Sequence, residues 1–336
     1  NSSTGQFNIS PSVAMDSDGD FVVAWSSGGG QQGKYEDIHI QRYNNRGNKQ
    51  GSEILIEATT SQSLGQPAVA MDADGDFVVS WTQGSEEPNA TSVRFQRYNQ
   101  NGVPQGTVTP VSNTPDERQF NPAIGINDSG GFVISWMSGS NSNYNIYAQA
   151  YAMDGTSLSS DTQVNTMVLQ NAGQNIIVNR SQPSVAMDNI GNFVVSWASG
   201  TENTSTVFAQ QFNSTAQKQG QELLLNDNTS AFAAFADVAM DSDGDFIVSW
   251  SESGSEGKYG FGTESDIFAK RYNNAGVFQE EIVGIDSQLS ANLPAVAMDD
   301  DGDVAFAWQG REGENTEFEK YSIYTRRYQL NITEPE

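Results

Sequence analysis

The apolar residues of this chain fall in short runs separated by polar turns, and one such arrangement recurs along its whole length. Residues 13–25 read Val-Ala-Met-Asp-Ser-Asp-Gly-Asp-Phe-Val-Val-Ala-Trp. Two runs rich in β-branched and aromatic residues flank a turn signal, which predicts a β-hairpin. The runs are nearly continuously apolar rather than alternating, as expected of strands covered on both faces. Five more copies end at Trp81, Trp136, Trp197, Trp250 and Trp308, and with Trp25 these are all 6 tryptophans. Every copy keeps one interval from its leading Asp16, Asp72, Asn127, Asp188, Asp241 or Asp299 to its Trp, while successive tryptophans lie 53 to 61 residues apart. The chain is therefore a repeat array.

Two turn geometries could join the runs. A two-residue Asp-Gly turn needs positive φ at both central residues, and the fourth copy has the β-branched Ile190 before its Gly191, a poor occupant. A type I turn opened by the Asp or Asn, with only the glycine left-handed, suits all six copies and is the geometry expected.

After each Trp come a polar loop and a third strand, first as Asp-Ile-His-Ile-Gln-Arg-Tyr at 37–43 and again at 92–98, 145–151, 206–212, 266–272 and 322–328. A turn, often Asn-x-x-Gly as from Asn44 to Gly47, leads to a fourth strand near 53–56, 107–111, 162–165, 222–225 and 281–283. A polar linker, often ending in proline (Pro11, Pro67, Pro122, Pro183, Pro294), opens the next copy. Four strands per unit in six units predict an all-β fold: a six-bladed β-propeller of four-stranded antiparallel blades, closed into one domain over 1–336. The repeats run approximately 11–66, 67–121, 122–182, 183–235, 236–293 and 294–336. One four-stranded sheet cannot cover both its faces, whereas stacked neighbours can. All six tryptophans are accordingly expected in the packing between sheets. Only 8 residues follow Tyr328, so the sixth blade is expected to take its last strand from elsewhere, either upstream sequence or a neighbouring molecule. Short turns gather at one end of such sheets. The long variable loops 26–36, 251–265, 309–320 and the insertion 167–178 gather at the other, where binding is expected.

Charge and composition narrow the partners. Sixteen basic against 42 acidic residues give a net charge of −26, which repels nucleic acid and anionic membrane surfaces. The absence of cysteine excludes disulfides and cysteine-ligated zinc. No apolar run approaches the roughly 18 residues of a membrane helix, so membrane insertion is not expected.

The candidate chemistry is acidic. Asp16, Asp18 and Asp20 surround one turn, and Asp72, Asp74, Asp76, Asp241, Asp243, Asp245, Asp299, Asp301 and Asp303 do the same in repeats 2, 5 and 6. Three carboxylates on a compact loop are hard oxygen ligands of the kind that hold Ca²⁺. The competing reading is turn chemistry, in which Asp or Asn caps its own backbone. Repeats 3 and 4 keep the turn without the extra acids and are nearly neutral there. His39, the only histidine, occupies an ordinary third-strand position taken elsewhere by Arg94, Tyr147, Phe208, Phe268 and Tyr324, which argues against a catalytic triad. Arg42, Arg97, Arg271 and Arg327 recur at one repeat position, as structural pairing would require. No carboxylate stands out as belonging to one unrepeated site.

The units Pro-x-Val-Ala-Met-Asp-x-Asp-Gly-Asp-Phe-Val-Val-x-Trp and Ile-x-x-Gln-Arg-Tyr-Asn-x-x-Gly resemble tandem repeats of large secreted or surface proteins of cyanobacteria and other bacteria. The acid turns loosely resemble the calcium loops of integrin-type propeller repeats. The resemblance implies an extracellular or cell-surface setting, a structural or adhesive role and no defined catalytic residue. The expectation is a non-enzymatic propeller for adhesion, matrix contact or self-assembly, stabilised by calcium if the acid turns bind it. Its partners would be other modules, copies of itself, or glycans. The alternatives are a lectin-like sugar-binding propeller, or a propeller glycosidase or lyase.

Overall fold

The computed structural model describes residues 7–28, 36–57, 64–84, 91–112, 118–140, 143–166, 182–200, 205–226, 232–253, 265–282, 285, 290–312 and 320–329. Those residues form 23 strands and no helix. The chain divides into two compact units: Asn1–Val164 with Ser214–Ala216, and the remainder. The expected strand at 162–165 is only two residues long, and the insertion 167–178 lies outside the described residues.

The first unit holds three antiparallel meanders, each a separate four-stranded sheet. They are β1 (Phe7–Met15), β2 (Phe21–Gly28), β3 (Glu36–Tyr43) and β4 (Lys49–Glu57); β5 (Leu64–Met71), β6 (Phe77–Gly84), β7 (Thr91–Tyr98) and β8 (Pro104–Pro110); and β9 (Arg118–Ile126), β10 (Phe132–Ser140), β11 (Asn143–Tyr151) and β12 (Thr162–Gln163). The second unit holds β13 (Ser184–Met187), β14 (Phe193–Gly200), β15 (Ser205–Phe212) and β16 (Lys218–Leu224), then β17 (Phe232–Met240), β18 (Phe246–Ser253), β19 (Ser265–Tyr272) and β20 (Phe278–Ile282). It ends with β21 (Ser290–Met298), β22 (Val304–Glu312) and β23 (Lys320–Tyr328). The propeller-like arrangement of small antiparallel sheets is thus present, but hydrogen bonding does not divide it into six separate sheets. β13–β16 and β17–β20 merge into one eight-stranded sheet through a single parallel bridge, Ser205 to Phe232, and β21–β23 form a sheet of three.

The hairpin turn has the geometry that Ile190 requires. The Gly19 N–H bonds to the Asp16 carbonyl at 3.2 Å, and Gly19 alone in that turn takes a positive φ, of 84°. Each Trp stands directly across from a third-strand residue, and most of these pairs stack: Trp197 on Phe208 at 5.7 Å, Trp250 on Phe268 at 6.1 Å. All six tryptophans are buried, in the packing role expected of them. His39 fills the same slot, stacked on Trp25 at 5.6 Å and held at Nδ1 by Glu53 at 2.9 Å.

Four of the five prolines expected in linkers, Pro11, Pro67, Pro122 and Pro294, lie inside first strands, which begin upstream of them and carry a bulge there, as between Ile9 and Ser12 or Gly65 and Ala68. Pro183 precedes its strand as expected, since β13 begins at Ser184 and pairs without a bulge. Ser10, Gln66, Asn121 and Leu293, each just before a proline, take φ of 52°, 53°, 54° and 54°. Proline has no N–H to donate, so it sits where the ladder skips a residue. Within their own units, Val13 of β1 and Ile323 of β23 are exposed.

Candidate functional site

In each unit the short turns of two neighbouring meanders enclose a groove. In the first unit it lies between β1–β4 and β5–β8, with a volume of about 510 Å³. In the second it lies between β13–β16 and β17–β20, with a volume of about 400 Å³. The grooves occupy the same repeat position, because Phe21, Gln50, Met71 and Asp74 of one correspond to Phe193, Gln219, Met240 and Asp243 of the other. Each is floored by a stacked ring pair, Phe21 on Tyr43 at 4.9 Å and Phe193 on Phe212 at 4.8 Å.

They differ in charge. Asp18, Asp20 and Arg42 line the first, whereas Ile190, Asn192 and Gln211 stand at those positions in the second. The second groove therefore offers amides, an aromatic floor, the exposed Ile190 and two carboxyl groups, Asp188 and Asp243. Asp188 is buried: its Oδ1 accepts the N–H groups of Ile190 and Asn192 at 3.0 and 2.8 Å, and its Oδ2 accepts the Asn192 amide at 2.8 Å. Asp243 is exposed. Asn274 donates its Nδ2 to the Asp243 carbonyl at 3.1 Å, and Gln211 donates to the Asn274 carbonyl at 2.9 Å, so the rim is held by amides. Amides carry both donors and acceptors and need no counter-ion, which suits hydroxyl-rich neutral ligands.

The twelve aspartates of the acid turns are drawn to different partners. The leading acids cap their own turns: Asp16 Oδ1 accepts from the N–H groups of Asp18 and Asp20 at 3.0 and 2.9 Å, and Asp72, Asp241 and Asp299 act alike. Burial pushes the carboxyls of Asp72 and Asp241 up from the usual aspartate range. The third acids tie this turn to the turn between third and fourth strands, as Asp20, Asp76 and Asp245 accept from the N–H groups of Asn45, Gln100 and Asn274 at 2.9, 2.8 and 2.9 Å. Asp303 instead takes Arg327 at 2.7 Å. The middle acids Asp18, Asp74, Asp243 and Asp301 are exposed. Among the described residues no three acidic or histidine side chains converge in a metal cage. The recurring arginines are structural: Arg97 donates to the Met153 carbonyl of the next meander, and Arg271 lies 3.9 Å from Asp245.

Three solved structures share the fold. A protein of unknown function from Dyadobacter fermentans aligns with a TM-score of 0.58 at 12% identity, covering 96% of this chain and 94% of that one. An ulvan lyase of polysaccharide lyase family 25, bound to -[GlcA(1-4)Rha3S]-, gives 0.59 at 14% identity, covering 93% and 78%. An α-L-arabinanase from Penicillium chrysogenum complexed with arabinobiose gives 0.54 at 15% identity, covering 95% and 93%. No protein-family model matches the chain, and no curated protein sequence does. These likenesses correct the expectation of a non-enzymatic protein, since the fold is one on which a named lyase and a named arabinanase are built.

The long loops expected to bind lie largely outside the described residues, and the grooves sit at the short-turn end instead. The second groove escapes a search for repeated acids because it is the copy that lacks them. Its signal in the sequence is the departure of Asp188-Asn-Ile-Gly-Asn from the acidic consensus.

Proposed function

We propose that this protein acts on neutral saccharides, held in the amide-lined groove between β13–β16 and β17–β20. The observation that carries this reading is the exchange of Asp18, Asp20 and Arg42 for Ile190, Asn192 and Gln211 on an otherwise equivalent groove. Ring faces of a sugar would meet Ile190 and the aromatic floor, and its hydroxyls the amides of Asn192 and Gln219. The fold's likeness to saccharide-degrading proteins supports a glycan ligand over adhesion. A net charge of −26 disfavours a polyanion and so favours a neutral glycan, and with it hydrolysis over the elimination chemistry of a lyase. Hydrolysis by paired carboxyl groups uses one as proton donor and one as base or nucleophile, and Asp243 and Asp188 are the two this groove provides.

We further read the six repeats as six blades, with β13–β16 and β17–β20 counted separately because one bridge alone joins them. An extracellular or cell-surface setting, where saccharide polymers are met, accords with this reading.

The test is calorimetric titration with arabino-oligosaccharides and other neutral glycans, with a glucuronate-containing glycan as control and reducing-end release as the activity readout. Binding of a neutral glycan that is weakened by Gln219→Ala but not by Gln50→Ala is the expected result. Cleavage abolished by Asp243→Asn would assign hydrolysis. Absence of binding to every neutral glycan, or equal loss in both variants, refutes the reading.

A further inference from the structure

The groove between β1–β4 and β5–β8 is the larger of the two and has no part in the saccharide reading of the second. Its volume of about 510 Å³ falls within the range of small-molecule sites, about 300–1,000 Å³. Four aspartates and one arginine line it, over a floor of Phe21 stacked on Tyr43.

The four carboxylates are unequally engaged. Asp16 caps its own turn through Oδ1, and Asp20 accepts the Asn45 N–H at 2.9 Å. Asp18 and Asp74 reach the groove from opposite meanders, and both are exposed. Among the described residues their carboxylates accept no hydrogen bond and form no ion pair; only their main chains are bonded. In the second groove Ile190 takes the position of Asp18, so the one exposed acid there, Asp243, has an apolar side chain across from it.

Arg42 is the exception among the recurring arginines. Arg97 donates to the Met153 carbonyl, Arg271 lies 3.9 Å from Asp245, and Arg327 lies 2.7 Å from Asp303. The Arg42 guanidinium has no hydrogen bond or ion pair among the described residues; it rests beside Gly102, with the charge of Asp20 acting on it. Its N–H donors are left for acceptors from solvent or a ligand. A bare metal ion does not match this lining, since among the described residues no three acids converge in a cage. The match is an organic cation that brings charge to both walls, an apolar face to the floor and oxygen acceptors to Arg42.

We propose that this groove is a second binding site, for amino sugars. Ammonium groups pair with Asp18 and Asp74, a ring face lies on Phe21, and ring hydroxyls accept from Arg42. The net charge of −26 adds long-range attraction for such a cation. Only the sugar skeleton is carried over from the saccharide reading of the second groove; the preference for positive charge belongs to the first groove alone.

Calorimetric titration with the disaccharide of glucosamine and with its N-acetylated form tests this, because acetylation keeps the skeleton and removes the charge. The amine form is expected to bind, more weakly as salt is raised. Asp18→Asn and Asp74→Asn, both at exposed positions and checked for folding by circular dichroism, should each weaken it by about fivefold, the scale of one partly exposed ion pair. Asp301→Asn, on the acid turn of repeat 6, should leave it unchanged. Any binding of the acetylated form, which the second groove would take as a neutral glycan, should be indifferent to Asp18→Asn and Asp74→Asn. No binding of the amine form, an acetylated form weakened equally by these substitutions, or a loss at Asp301→Asn as large as at Asp18→Asn would each overturn the proposal. Failure of the neutral-glycan reading shows separately, in Gln219→Ala on the other groove.

Discussion

The Ser184 hydroxyl donates to the Asp237 carboxylate at 2.6 Å, joining the first strands of two neighbouring meanders. The second carboxylate oxygen accepts the Val296 N–H at 2.9 Å, so one side chain ties β13, β17 and β21 together. Ser12, Ala68, Ala123 and Ala295 hold this position in other repeats, and Asp237 is the only acid there. Burial pushes its carboxyl up from the ordinary 3.8 despite these hydrogen bonds. A group whose folded pKa is raised contributes stability that is complete below the unfolded value and is lost as pH rises through the folded one. Urea unfolding of the wild type should therefore show stability falling as pH rises from about 3.8, and Asp237→Asn should flatten that fall. Asp237→Ala should cost about 1–3 kcal/mol at the acid end, by leaving the Ser184 hydroxyl or the Val296 N–H unpaired. Identical pH profiles for wild type and Asp237→Asn would show that Asp237 does not titrate in this window.

Gly47 and Gly102 have the same φ of 75° but different surroundings. Alanine at either pays the left-handed penalty of about 1–2 kcal/mol. Only Gly102→Ala must also displace Ile54 and Arg42, so it should cost at least about 1 kcal/mol more than Gly47→Ala in urea unfolding. Equal losses would mean that Arg42 swings away without cost.

The buried Ile38 and the exposed Ile323 form a second matched pair. Ile38→Ala should lose about 2–5 kcal/mol by opening a cavity in the cluster with Val69 and Trp81. Ile323→Ala, measured in dilute protein, should stay within about 0.5 kcal/mol of wild type. A large loss at Ile323 in dilute protein would show that its face is covered in solution.

Asp72 Oδ1 accepts two N–H groups, from Asp74 at 3.1 Å and Asp76 at 2.9 Å. Asp72→Ala should destabilise by about 1–3 kcal/mol, while Asp72→Asn, which keeps an acceptor oxygen, should lose less than half of that. Thermal unfolding of the pair separates turn capping from charge, since equal losses would make the charge the decisive element.

The sequence makes the hairpin and its turn legible because both depend on contacts within about a dozen residues, and the buried tryptophans legible because the same position recurs in every copy, although their packing partners, such as Ile38 for Trp81, lie in the preceding meander. Ile190 alone was enough to choose between two turn geometries. The full length of the first strands is not legible, because Pro11 and Pro67 carry the signal of a strand end, and only tertiary pairing shows the bulge that accommodates them. Asp237 was invisible for a similar reason: its value lies in donors from Ser184 and Val296, 53 and 59 residues away. The groove was half legible, since the neutrality of repeats 3 and 4 could be read directly but its enclosure by two meanders could not. Five hydrogen-bonded sheets instead of six separate ones follow from one bridge at Ser205, which no repeat consensus encodes.

The first-strand bulge stands at one fixed distance before Asp16, Asp72, Asn127, Asp241 and Asp299, and repeat 5 keeps it with Ala236 where the others have proline. Unequal repeat length is taken up elsewhere, between each Trp and its third strand and between the fourth strand and the next bulge. The run from bulge to Trp is thereby spared insertions, and the hairpin keeps one pairing in copies of different length.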